Sequence, residues 1–158
     1  MTSAAGPSSG VRGRWSLEAR AHSSAPVTDI WSLVGEADRW KEWSFLTRSE
    51  LERNGDPAPD GVGAVRRFTR YGIGSREEVT AWEPPGHLGY RILSGFPVRE
   101  YWADVTLTPE GSGTLITWSA SFDPLVPGTG RLMTLVLKQL LSRFATGAAR
   151  YGEQRAEA

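Results

Sequence analysis

The sequence predicts an α+β domain whose curved antiparallel sheet of seven strands wraps around one long C-terminal helix. Three observations carry this. Between Phe45 and Pro124, runs rich in Val, Ile, Thr, Tyr, Phe and Trp alternate with turn chemistry. Over 128–151 the apolar period changes to three and four. No composition break divides the chain into two units, and 158 residues suit one domain, which buries about two thirds of its unfolded surface.

Residues 1–12, MTSAAGPSSGVR, lack periodicity and are expected to be a disordered lead, leaving 13–152 as a single domain and 153–158 as a tail. Trp15, Leu17, Ala19 and Ala21 alternate with Ser16, Glu18, Arg20 and His22, as in a strand with one buried face. In SSAPVTDIWSLVG, Ser23 or Ser24 is positioned to cap a helix that places Val27, Ile30, Trp31 and Val34 on one face and ends at Gly35. A second short helix is expected from Asp38, as cap, to about Trp43. Six strands follow, punctuated by NGDPAPDG at 54–61, GIG at 72–74, EPPG at 83–86, SGFP at 94–97 and PEGSG at 109–113. In the last segment Leu132, Met133, Val136, Leu137, Leu140, Leu141, Phe144, Ala148 and Tyr151 form one wide apolar face, and the only surface large enough to cover it is the sheet.

Composition excludes several function classes. The chain has no cysteine, so thiol catalysis, thiolate-held metal and disulfides are out, and a cytoplasmic location is the default expectation. Eighteen basic and eighteen acidic residues give zero net charge without a basic block, so nucleic acid is not an expected partner. No apolar run reaches the roughly 20 residues of a membrane span. Two distant histidines without ligand spacing predict no metal, no cofactor motif stands out, and Gly72–Gly74 reads as a hairpin turn because no capped helix or Lys-Ser/Thr follows. His22 falls on a polar strand face, and His87 after the Pro84-Pro85-Gly86 turn is expected to face solvent.

The segments VTDIWSLVGEADRWKEW, GVGAVRRF, REEVTAWEPPGHLGYRI, REYWADVTLTPEGSGTLITW and PGTGRLMTLVLKQLLSRFATGAARY, in this order, resemble the START and Bet v 1-like helix-grip superfamily, and within it the bacterial polyketide cyclase/dehydrase-like family. The resemblance covers about residues 14–152. It implies a helix-grip fold with a hydrophobic cavity between sheet and helix for a lipid, polyketide or other apolar small molecule. One chemistry is not implied, because the family holds binders, carriers and aromatase/cyclases.

Strand alternation orients the expected cavity wall. Tyr101, Ala103, Val105 and Leu107 point in from one strand, and Ile116, Trp118, Ala120 and Phe122 from the next. Leu88, Tyr90 and Ile92 share a face, as do Glu77, Val79 and Ala81; Arg66 lies on the face of Phe68 and Arg67 on the other, so either arginine can be internal. The ligand-contacting set is therefore expected to comprise Phe68, Glu77, Val79, Tyr90, Ile92, Tyr101, Ala103 and Trp118 from the sheet and Met133, Leu137, Leu140 and Phe144 from the helix, with Trp43, Phe45 and Phe96 near the mouth. Trp31 is expected in the core or cavity wall, and Leu93, Phe96, Pro97 and Val98 as an apolar lip. Gly147 marks either close backbone approach or deliberate space.

Polar residues on apolar faces are the informative ones, since an unpaired buried charge is costly. Glu77, Tyr101 and Arg66 or Arg67 form either a satisfied internal network or a polar anchor: a carboxylate held by an arginine beside a phenol. Three functions fit: a binder of an apolar small molecule; a cyclase/aromatase promoting intramolecular aldol condensation and dehydration, with Tyr101, Glu77 and an arginine as candidate catalytic groups; or a protein-interaction module marked by an exposed apolar patch. The chain is expected to be a monomer or homodimer.

Overall fold

The computed structural model describes residues 13–158. The expected lead at 1–12 lies outside the described residues. The elements are β1 (Trp15–Ser23), α1 (Val27–Gly35), a 3₁₀ turn (Ala37–Arg39), α2 (Trp40–Trp43), β2 (Arg48–Arg53), β3 (Val65–Arg70), β4 (Ile73–Glu83), β5 (His87–Ser94), β6 (Val98–Glu110), β7 (Gly113–Pro124) and α3 (Gly130–Ala156). All seven strands are in one antiparallel sheet, ordered β1-β7-β6-β5-β4-β3-β2. Each strand from β2 onward is joined to the next by a local connection, and β1 closes the far edge beside β7.

The inner face is set by alternation. Leu17 opposes Ala120, Ala19 opposes Trp118, and Ala103 opposes both Ala120 and Tyr90 on its two sides. These residues are buried, as are Leu88, Val105, Leu107, Ile116 and Phe122. Ala81 departs from the expectation. An extra residue between Val79 and Ala81 breaks the alternation, so Ala81 pairs with Gly89 on the outer face and Trp82 returns to the inner side. There Trp82 meets Trp31 of α1 edge-on at 4.9 Å, so Trp31 packs against the core at the contact between α1 and β4.

Helix α3 packs chiefly on β1 and β7, with α1 alongside. Its sheet-facing stripe is Met133, Leu137, Leu141, Phe144, Ala145, Ala148, Ala149 and Gly152, all buried. Leu132 and Val136, expected on that stripe, face solvent, because the helix has leucines or valines around most of its first half and only one face can be covered. The helix also runs on to Ala156, absorbing most of the segment expected as a tail.

Capping differs from expectation. Pro26 is the N-cap of α1 and offers no side-chain bond. The Ser23 hydroxyl instead donates to the Ala149 carbonyl at 2.8 Å and accepts from the Ala25 N–H at 3.2 Å, tying β1 to α3. Asp38 does not cap a helix either; the N–H of Ala37 is taken by the Asp60 carboxylate at 3.0 Å.

Candidate functional site

Between the sheet and the middle of α3 lies a pocket of about 140 Å³. Phe68, Glu77, Tyr90, Ile92 and Tyr101 form its sheet wall, and Leu137, Leu140, Leu141 and Phe144 its helix wall. Trp40 lies at its inner side, while Phe45, Leu46, Gly95 and Phe96 come from connections and Arg70, Ile73, Gly74 and Ser75 from the adjoining ends of β3 and β4. A wider trough of about 780 Å³ crosses the outer sheet face. Its floor of Ser16, Glu18, Thr80 and Ser119 is the solvated side of a one-faced sheet, so the inner pocket is the candidate site.

The remaining interval is filled with aromatic rings. Trp40 stacks on Phe68 at 4.3 Å and meets Trp118 edge-on at 5.6 Å; Phe144 stacks on Trp118 at 5.7 Å and on Phe45 at 5.0 Å. Among the residues expected at the ligand, Trp43, Val79, Ala103, Trp118 and Met133 do not border the pocket. Trp43 is turned into the helical corner, where its indole N–H donates to the Leu33 carbonyl at 3.0 Å. Gly147 explains that corner: a Cβ there would stand 2.8 Å from the Trp43 carbonyl oxygen, so the glycine serves close approach and not added space.

The polar wall comes from three strands. Arg66 on β3 is directly opposite Glu77 on β4, and the two form an ion pair buried on both sides. Arg66 is the internal arginine; Arg67 points outward and reaches Glu52 at 3.4 Å. The Arg66 guanidinium also donates to the Val34 carbonyl at 3.4 Å and sits 5.0 Å from the Trp40 ring, 5.1 Å from Phe68 and 5.4 Å from Tyr90. Its Nε is the one buried side-chain nitrogen or oxygen without a hydrogen-bond partner among the described residues. A rigid planar cation held between rings tolerates that orphan, because the ring faces supply part of the lost hydration.

Burial raises the carboxyl of Glu77 above its ordinary value, and the pairing with Arg66 only partly offsets this. Both phenols are also pushed up, chiefly by burial and then by neighbouring charge, so Tyr90 and Tyr101 are neutral O–H groups at any ordinary pH. Tyr90 accepts the Trp118 indole N–H at 2.9 Å, which fixes its ring, and the Tyr101 ring centre lies 6.4 Å away. Tyr101 owes its place to a bulge. An extra residue between Arg99 and Trp102 shifts the β6–β7 register, and Glu100 takes a positive φ of 47° there. The site thus presents a carboxyl and a phenol at the wall of an otherwise apolar pocket.

Several pocket residues had no place in the expected set, namely Leu46, Arg70, Ile73, Gly74, Ser75, Gly95 and Leu141. Arg70, Ile73, Gly74 and Ser75 are at the ends of β3 and β4 that meet at residues 71–72, and Leu46 and Gly95 are in connections, where alternation gives little guide. The usable signal was glycine: a Cβ on Gly95, whose φ is 110°, would lie 2.1 Å from the Gly74 carbonyl oxygen, so the β5–β6 turn closes on the start of β4.

His87 is not solvent-facing as expected. Its Nδ1 lies 2.8 Å from a Glu83 carboxylate oxygen and its Nε2 2.6 Å from one of Asp104, so both ring nitrogens donate and the ring is an imidazolium. The bond to Asp104, reinforced by Glu83, pushes its pKa up to about 9 despite partial burial. This clamp is on the outer sheet face, away from the pocket. Among the described residues no cluster of three or more His, Cys, Asp or Glu could hold a metal ion. No helix among them is long and apolar enough to cross a membrane.

The family described as polyketide cyclase / dehydrase and lipid transport matches residues 14–153. The chain belongs to this family. A START superfamily protein from Mycobacterium smegmatis superposes with a TM-score of 0.75 at 13% identity, covering 88% of this chain and 97% of that one. A norcoclaurine synthase point mutant of Thalictrum flavumn, in complex with a transition-state analogue, superposes with a TM-score of 0.69 at 15% identity over 90% of this chain and 96% of that one. A solution structure from Thermobifida fusca is 26% identical, with a TM-score of 0.70 and coverage of 87% and 93%. Among curated proteins, none matches the chain. The fold is the helix-grip fold, and family and fold together indicate a START/Bet v 1-like protein of the ligand-binding or polyketide-cyclase type.

Proposed function

We propose that the protein binds an apolar small molecule in the pocket between sheet and α3, seating an aromatic ring or short apolar chain against Phe68, Ile92, Leu137 and Leu140 and a carbonyl or hydroxyl group against Tyr101 and Glu77. The observation that carries this reading is the juxtaposition of a neutral phenol and a buried carboxyl with an apolar recess. A polar pair at a collapsed core would need no recess beside it. A volume of about 140 Å³ is close to the roughly 150 Å³ apolar cavity that takes up benzene, which sets the size of the inserted part. Larger ligands require Phe45 or Phe96 to swing outward.

The test is a panel of naphthols, aromatic ketones and fatty acids measured by thermal stabilisation and by isothermal titration. Ring-bearing phenols and ketones stabilise the wild type. Tyr101→Phe weakens them by about fivefold, as expected for one hydrogen bond worth about 1 kcal/mol. Leu141→Trp, which fills the recess, abolishes the effect. A panel in which nothing stabilises the protein sinks the proposal.

One observation favours an enzymatic second reading, in which the same pocket folds a poly-β-ketone chain for aldol condensation and dehydration. Glu77 is a carboxyl with a raised value next to a neutral phenol, a base and a hydrogen-bond donor within one wall. In that reading the Glu77 carboxylate takes the α-proton of one ketone while Tyr101 donates a hydrogen bond to the enolate oxygen; the enolate carbon attacks a second ketone carbonyl of the chain, whose oxygen takes the proton back from Glu77, and the resulting hydroxyl leaves as water with a remaining α-hydrogen. Product analysis after incubation with a poly-β-ketone substrate separates the two: stabilisation without turnover leaves only the binder.

A further inference from the structure

We propose that the end of the molecule around the pocket mouth docks on an anionic lipid bilayer. The inference rests on exposed side chains and is independent of what the pocket holds.

The antiparallel order puts the β3–β4 turn, the β5–β6 turn, the β7–α3 link and the start of α3 at the same end of the sheet. Nearly all the exposed large apolar side chains are there. Tyr71 and Ile73 protrude from the first turn, Ile73 being 81% exposed, and the positive φ of Tyr71 holds that tip outward. Leu93, Leu125 and Val126 extend the surface across the sheet end. Leu132, Leu135 and Val136 continue it along α3, at 61%, 68% and 48% exposure. Among the described residues only Val62 is an exposed large apolar side chain elsewhere. Such concentration is unusual on a protein that has nothing to cover it.

Charge identifies the occupant. The segments 70–73, 93–99 and 124–143 carry Arg70, Arg99, Arg131, Lys138 and Arg143 and no acidic residue, although the whole chain has zero net charge. None of the five is in an ion pair among the described residues; Arg70 and Arg143 stand over the Phe45 ring at 5.7 and 5.5 Å. Flanking acids are Glu100, next to Arg99 in the bulge, and Asp123, which accepts the Arg14 backbone N–H at 2.8 Å. A two-fold contact between copies would set these cations against their equals. An anionic membrane surface instead takes apolar tips into its headgroup boundary and attracts the cations beside them.

The experiment is flotation of the full chain with vesicles of phosphatidylcholine alone and of phosphatidylcholine mixed with phosphatidylglycerol, at low and high salt. The chain floats with the anionic vesicles, at least about tenfold less with neutral ones, and is released by salt, which screens exposed charge. Arg131→Gln and Lys138→Gln each weaken binding by about fivefold. Leu132→Asp with Leu135→Asp abolishes flotation while the thermal midpoint and naphthol binding stay as in the wild type, since neither residue borders the pocket. Tyr101→Phe leaves flotation unchanged, so the docking surface and the pocket fail separately. Absence of flotation with anionic vesicles overturns the proposal, as does flotation that survives the double variant. A wild-type dimer in light scattering that the double variant splits overturns it too, because the face would then belong to a second copy.

Discussion

From Ala145 to Gly152 the buried face of the long helix carries only small residues and lies against its neighbours at backbone distance, whereas from Met133 to Leu141 leucines hold it off the sheet and a pocket opens beneath. In the first region a Cβ on Gly152 would stand 2.5 Å from the Ile30 side chain, and one on Gly147 2.8 Å from the Trp43 carbonyl oxygen. In the second, Leu140 is only half-buried and shares the recess with Ile92 and Phe96. The contrast shows how one amphipathic rod divides its work: small residues where the fold must close, large ones where it must leave a gap.

The comparison is tested hardest at the polar floor of the open region. Glu77→Leu leaves the Arg66 guanidinium buried without its carboxylate and lowers unfolding free energy by about 3–5 kcal/mol in urea denaturation. Arg66→Met together with Glu77→Leu recovers most of that loss, because no uncompensated charge remains. In the closed region Gly152→Val forces Ile30 and Ala25 aside and costs about 3 kcal/mol by the same measurement, after a small gain in helix propensity. If that variant is as stable as the wild type, the closed half is not closed.

A third prediction uses a cluster remote from both regions. His87 has its pKa raised from 6.5 to about 9, so its clamp contributes fully below 6.5 and the contribution disappears as pH rises through 9. His87→Asn is expected to cost about 2 kcal/mol on the acid side, less than the shift alone implies because Glu83 is largely exposed, and to be neutral above the upper limit. Thermal melts across that range check it. The smallest effect is expected at Leu140→Ala, about 1 kcal/mol, since a half-exposed side chain at a gap leaves no new sealed cavity. The same change enlarges the recess and favours bulkier ligands, which the naphthol series reads directly.

Much of this arrangement was legible before any coordinates, and the failures have physical causes. Alternation located Glu77, Tyr90, Tyr101 and Trp118 on the inner face because a period of two leaves no choice once one face is apolar. It failed at Ala81, where a bulge silently resets the count. It could not choose between Arg66 and Arg67, which differ by which side of β3 they occupy, until the pairing of Arg66 with Glu77 was in view. Periodicity gave α3 but assigned Leu132 and Val136 to the core, since a segment apolar on most sides carries no mark of which side is covered. His87 looked solvent-facing because its partner Asp104 is seventeen residues away, a distance over which sequence offers no local cue.

Phe45 gives the pocket a kinetic property distinct from its affinity. Its ring is stacked on Phe144 and flanked by the Arg70 and Arg143 guanidinium groups, so passage into the recess requires parting three contacts at once. Entry and exit should therefore be slow together, and Phe45→Ala should speed both without a matching change in equilibrium occupancy. Stopped-flow traces would record that residue as a turnstile, setting how long a guest stays and leaving how tightly it is held to the walls within.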